Sequence, residues 1–192
     1  MSPVCCVNYV PGLDQNKAHG ASRGYKWGPA DSNQPAPKGR KSMGHTATNV
    51  LVHFIFSTRL RVPQITPEIE GDLHAYLGGI VRELGGVALC INGMDDHVHL
   101  LVRMPSTHSL ADLARLIKTN LSRWVHERWP QRKSFGWQTG YGAFSVSESG
   151  QNAVREYIPH QQQHHAKRSF KQEFSAFLQK NHFAIDSEHL WS

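Results

Sequence analysis

The chain has 192 residues, with 21 Lys/Arg against 15 Asp/Glu and a formal charge of +6, a length that suits one domain with an appended segment. No stretch is apolar for long enough to cross a bilayer and no charged-then-apolar leader is apparent, so membrane and secreted classes drop out and a reducing cytoplasm is the expected setting. The three cysteines, Cys5, Cys6 and Cys90, have neither a disulfide framework nor zinc-type spacing.

Residues 1–42 carry Lys17, Arg23, Lys26, Lys38, Arg40 and Lys41 against Asp14 and Asp31. Much of the surplus positive charge therefore belongs to this segment, and the total says little about the rest. The run from Gly28 to Gly39 is rich in Gly, Pro, Ser and Asn and cannot bury enough apolar surface to offset its ordering entropy. Residues 1–42 are expected to be a disordered N-terminal extension, with a nucleic-acid-binding tail as its functional reading. The remainder, 43–192, is expected to fold as one domain.

Asn49 to Ser57 reads as a central strand. Thr66 caps a helix that Pro67 opens, with Glu68 and Glu70 in its first turn, running to about Leu84 before Gly85-Gly86. Val87 to Asn92 is a second strand, Gly93 to Asp96 a turn, and His97 to Met104 a third strand. Ser109 caps a helix to about Trp129, ahead of Pro130. A short strand follows near Ala143 to Val146. Ser149 caps a long helix through Tyr157 toward His165, and Phe170 to Phe177 is a final helical segment. This β-α-β-β-α-β-α order predicts an α+β fold: a ferredoxin-like antiparallel sheet with helices on one face, plus a C-terminal tyrosine-bearing helix. The other sheet face is expected to stay open for a substrate.

Asp95-Asp96-His97-Val98-His99-Leu100-Leu101-Val102 is the most informative stretch. Side chains alternate along a strand, so His97 and His99 share one face while Val98, Leu100 and Val102 take the other. Two imidazoles on a rigid strand supply two metal ligands. Tyr157 and Gln161, four apart, share a helix face, and His164 falls near it. A glutamine oxygen can complete a two-histidine site, with the tyrosine one turn away. Pro159 lies between them, removes a backbone donor and is expected to kink the helix at Arg155. His160 and His164 therefore stand beside Gln161 as alternative third ligands. A free phenol, with a pKa near ~10, needs activation, and a divalent cation on a phosphoryl oxygen stabilises charge as it develops.

These residues, with His53-Phe54-Ile55-Phe56-Ser57-Thr58-Arg59, Leu116-Ile117-Lys118, Trp137 to Ser147 and His164-His165, occur in an ordered series over roughly residues 44–177. The series resembles the single-tyrosine HUH transposases of insertion sequences, including the transposases associated with repetitive extragenic palindromes. The resemblance implies that residues 43–192 are an HUH transposase catalytic domain. It implies that His97, His99 and Gln161 hold a divalent cation, Mg or Mn, and that Tyr157 attacks a DNA phosphate to give a 5′-phosphotyrosine link. It also implies a homodimer that cleaves and rejoins single-stranded DNA beside hairpins at element ends.

Candidate DNA-binding residues are Arg59 in the first-strand motif, Arg115 and Lys118 on the second helix, and Trp137 and Tyr141 in the loop before the fourth strand, where rings can stack on bases. Tyr141 is also the rival nucleophile, although no ligand lies at helical spacing from it. His53 reads as a sheet-face histidine or as a DNA contact beside the metal. Two other classes remain: a non-catalytic nucleic-acid-binding protein on the same fold, and a metal-dependent phosphodiesterase with no covalent step.

Overall fold

The computed structural model describes residues 47–165 and 169–183; the expected extension, residues 1–42, lies outside them. The elements are β1 (Leu51–Ser57), α1 (Pro67–Glu83), β2 (Val87–Met94), β3 (His97–Arg103), α2 (Leu110–Arg128), β4 (Gly142–Val146), α3 (Gln151–Tyr157), α4 (Gln161–His165) and α5 (Phe170–Lys180). The four strands form one sheet in the order β2-β3-β1-β4, with each neighbouring pair antiparallel. This is the ferredoxin-like arrangement that the element order predicts. No helix among the described residues is long and apolar enough to cross a membrane.

Alternation along the strands separates two cores. Val52, Phe54 and Phe56 of β1 and Val98, Leu100 and Val102 of β3 pack with Ile69, Leu73 and Leu77 of α1 and Leu113, Ile117 and Leu121 of α2. Burying each such side chain contributes roughly 1.5–3 kcal/mol, so this layer holds α1 and α2 on one face. Tyr76 and Trp124 stack across the two helices, with ring centroids 4.5 Å apart.

The helix starts follow the sequence with two differences. Ser109 accepts a hydrogen bond from the Asp112 amide, as a cap does. Thr66 occupies the cap position of α1, but its side chain makes no cap hydrogen bond; its hydroxyl instead accepts from Arg132 Nη2 at 2.8 Å. The expected cap at Ser149 falls on Ser147, which accepts from the Gly150 amide at the head of a 3-10 turn leading into α3.

The second sheet face is not open, contrary to expectation. Ile158, between α3 and α4, packs with Cys90 and Leu101, and Phe170, Phe174 and Leu178 of α5 pack on Ile55 and Phe144. The physical reason lies in α5. Phe170, Phe174, Phe177 and Leu178 form one apolar stripe, and the stripe needs a surface to cover. Ser169 and Gln172 start this helix with a reciprocal capping box.

Pro159 also behaves differently from the expected kink. A single 3-10 turn, Ile158–His160, separates α3 from α4, and Tyr157, Ile158 and Gln161 all keep right-handed helical angles. The Arg155 carbonyl, deprived of its helical donor, accepts from the Cys90 thiol. Asn92 Nδ2 donates to the Ile158 and Pro159 carbonyls at 3.2 and 3.0 Å. Cys90 of β2 thus takes over the carbonyl that proline deprives of its donor, Asn92 anchors the turn itself, and the helical spacing of Tyr157 and Gln161 survives.

The β2–β3 hairpin leaves no room at Gly93, where a Cβ would stand 2.1 Å from the His97 carbonyl oxygen and 3.0 Å from Val98 Cα. Both contacts are backbone, so Gly93→Ala is predicted to destabilise the fold by about 1–3 kcal/mol, read as a lowered denaturation midpoint; an unchanged midpoint would contradict the tight hairpin. His74 in α1 is buried, and burial lowers its pKa to about 4. The unfolded chain binds a proton near pH 6.5 that the native state refuses until about pH 4, so His74 costs the native state stability progressively as pH drops through that window, and this loss is absent above it. His74→Leu is predicted to flatten the stability loss between pH 6.5 and 4, by an amount on the order of 3 kcal/mol; an equal loss in both proteins would show that His74 is not held neutral.

Candidate metal and tyrosine site

β3 lies inside the sheet, and its second face presents His97 and His99, both fully buried. Each imidazole is held from behind. His97 Nδ1 stands 2.6 Å from Asp96 Oδ1, so it donates to the carboxylate and leaves Nε2 as a lone-pair acceptor. His99 Nδ1 lies 3.0 Å from His53 Nε2; donation from His99 leaves its own Nε2 free to bind. This is the outer support that metal-bound histidines commonly have. His53 sits diagonally across the β1–β3 pair, since its register partner is Leu101.

Neither Nε2 of this pair finds a hydrogen-bond partner. Around them, His165 at the end of α4 and Glu173 on α5 bring two more candidate ligands. One ligand atom from each of His97, His99, His165 and Glu173 lies within 4.8 Å of the others. Glu173 Oε2 is 2.9 Å from His165 Nε2 and 3.7 Å from His99 Nε2, and its Oε1 has no hydrogen-bond partner. Buried polar atoms are ordinarily satisfied, so orphans converging on one point call for an explanation. Three imidazoles and a carboxylate fit a divalent cation.

The electrostatics agree with that set. Burial, then the neighbouring His53, His97, His165 and His164, holds His99 well below the usual histidine range. Burial alone lowers His53 to about 4. Both rings are therefore neutral, the form in which imidazole binds a metal. Burial, and secondarily Asp96, raises Glu173 to about 7.

Gln161 is fully buried, and neither its Oε1 nor its Nε2 has a hydrogen-bond partner. Tyr157, one helical turn earlier, is half-buried, with its ring centroid 5.9 Å from His99, 6.3 Å from His53 and 4.8 Å from His164. A small pocket of about 60 Å³ is lined by Tyr157, His164, His165 and Glu173. The alternative ligand His160 is exposed, and its Nδ1 bonds the Glu156 carbonyl at 2.6 Å; His164 lies against the phenol.

Four of the five expected DNA-binding residues line one groove of about 490 Å³ beside α2: Arg115, Lys118, Trp137 and Tyr141. Arg59 lies apart, exposed in a 3-10 turn after β1. Lys118 is not the free cation that its helix position suggests. Its ammonium donates to the carbonyls of Gln138, Thr139 and Gly140 at 2.9, 3.0 and 2.7 Å. Burial lowers it to about 8, so it stays charged at neutral pH and fastens the loop. Trp137 packs edge-on against Phe56, and Tyr141 lies against Phe54.

Glu173 was not among the expected ligands, and neither was His165. The signal for Glu173 is a carboxylate placed inside the apolar stripe of α5, where a solvated charge has no reason to be.

Comparison with known proteins fits this geometry. The family described as IS200-like transposase matches residues 46–161. The ISDra2 transposase TnpA of Deinococcus radiodurans is 26% identical over 114 residues, which span 57% of this chain and 81% of that protein. The crystal structure of a candidate transposase from Deinococcus radiodurans R1 shares the fold, with a TM-score of 0.51 at 24% identity over 64% of this chain and 97% of that one. A REP-associated tyrosine transposase bound to a REP hairpin aligns with a TM-score of 0.46 at 14% identity, over 62% of this chain and 69% of that one. With the family match running over more than half of its length, the chain belongs to the IS200-like transposases.

Proposed function

We propose that this protein cleaves and rejoins single-stranded DNA, with Tyr157 as the nucleophile and a 5′-phosphotyrosine link as the intermediate. The observation that carries the reading is the placement of the Tyr157 ring 5.9 Å from that of His99, beside the buried Nε2 atoms of His97 and His99, which have no hydrogen-bond partner. His97, His99 and Gln161 are the proposed ligands of a divalent cation, Mg or Mn. When bound, such an ion polarises a phosphoryl oxygen and stabilises the charge that develops on it.

The chain's own residues supply the rest. Asp96 and His53 orient the two imidazoles. The phenol loses its proton as its oxygen bonds to phosphorus; the bond to the 3′ oxygen breaks, and that oxygen leaves as a hydroxyl after taking up a proton. Rejoining reverses both changes. The phenol stays tethered to α3, so the broken strand stays attached to the protein until a 3′-hydroxyl returns.

Arg115, Trp137 and Tyr141 are proposed to hold DNA in the groove beside α2, with Lys118 shaping its wall and Arg59 meeting phosphates at the end of β1. The proposed substrates are hairpin-flanked single strands, and the proposed assembly is a homodimer. Residues 1–42 are proposed to be an extension outside the catalytic domain, residues 43–192.

Incubating the protein with a 5′-labelled and a 3′-labelled single-stranded hairpin in Mn²⁺ tests the chemistry. Wild type is predicted to form a covalent adduct stable to denaturing gels. Tyr157→Phe is predicted to lose it by at least about 10³-fold while binding the hairpin within a few-fold of wild type. An adduct formed equally by the Phe variant would remove Tyr157 from the role; product without any adduct in wild type would favour a phosphodiesterase, and binding without product a pure DNA-binding protein. Lys118→Met is predicted to loosen the 138–140 loop and weaken hairpin binding by about 5–30-fold, measured by fluorescence anisotropy. Unchanged affinity would separate the groove from DNA recognition.

A further inference from the structure

The proposed ligand set leaves two side chains unaccounted for. His165 and Glu173 point at the same place as His97 and His99, although they come from helices on either side of residues 166–168. Glu173 is the one acidic side chain on the buried face of α5. It is 7% exposed, and its Oε1 has no hydrogen-bond partner. A carboxylate buried among apolar side chains is costly, and Phe170 and Phe174 hold the neighbouring stripe positions. A cation shared with the three imidazoles removes that cost.

We propose that, with no DNA bound, His165 and Glu173 take the place of Gln161 as ligands to the ion held by His97 and His99, making a closed four-residue site that favours a zinc-type ion over the Mg or Mn of the open site and fastens α5 onto the sheet. This rests on the reading that His97 and His99 bind a metal. Three nitrogens and one carboxylate oxygen suit a four-coordinate zinc-type ion, with bonds of about 2.0–2.2 Å. Magnesium instead favours six oxygen ligands and keeps several waters. A site with four protein ligands is closed, whereas chemistry on a phosphate requires an open position. Glu173 therefore has to leave the ion, and α5 has to shift with it, before a DNA phosphate enters. Gly142 gives α5 its close approach: a Cβ there would stand 2.7 Å from Phe174 Cε2.

The test uses the full chain stripped of metal and titrated with Zn²⁺, Co²⁺ or Mg²⁺, with hydrogen exchange of the 170–180 segment as an independent reading. Wild type is expected to bind one Co²⁺ with the intense visible bands of four-coordination and to bind Zn²⁺ far more tightly than Mg²⁺. Zn²⁺ is expected to slow exchange in α5 by at least about 10-fold. Glu173→Gln preserves shape, and far-UV circular dichroism checks that it folds. It and His165→Asn are each expected to weaken Zn²⁺ binding by about 10–100-fold and to abolish the slowing of α5. If both bind Zn²⁺ like wild type while His97→Ala and His99→Ala do not, the two-histidine metal reading stands and this proposal falls. If wild type binds no ion, both fall together.

Discussion

The structure depends on the alternation of side chains along β3. One strand inside the sheet has to satisfy two opposite environments, and it does so residue by residue: Val98, Leu100 and Val102 enter the apolar layer under α1 and α2, while His97 and His99 stand on the reverse face. Slipping the register by one would place imidazoles in the hydrocarbon core and valine on the face that now carries the histidines. The tight passage at Gly93 and the pairing of His97 with Ser57 and of His99 with Ile55 hold that register.

From that constraint the site assembles outward. Asp96 and His53 fix the rear nitrogens of the two imidazoles, and the front nitrogens have no hydrogen-bond partner among the described residues. The segment after β4 then crosses this face. It is held by Ile158 against Cys90 and Leu101, by the Cys90 thiol on the Arg155 carbonyl that Pro159 frees, and by Asn92 on the Ile158 and Pro159 carbonyls. Packing, rather than catalysis, places the Tyr157 ring beside His99. Membership of the IS200-like transposases gives this placement its chemical sense.

Much of this was legible in the sequence because it rests on short-range rules. The period-two pattern around His97 announced the shared face, and the order of strands and helices announced the sheet. The cap at Ser109 and the proline at the first helical position, Pro67, marked the helix starts. What was not legible depends on long-range partners. The stripe Phe170, Phe174, Phe177, Leu178 shows that α5 buries a face, yet nothing local says that the face is the one carrying the histidines. The rule for a proline inside a helix predicts a kink; it does not know that the Cys90 thiol and the Asn92 amide stand ready to donate across the gap. Lys118 reads as a phosphate ligand on its own helix, because the three carbonyls that take its protons lie about twenty residues on, in a loop.

The central claim is that the phenol beside the buried histidines becomes covalently attached to DNA. The most direct measurement is peptide mass spectrometry of the protein after reaction with a single-stranded hairpin and nuclease trimming of the attached strand. The account predicts a nucleotide phosphate mass on the peptide containing Tyr157 and on no other. The same mass on the peptide containing Tyr141 would contradict it.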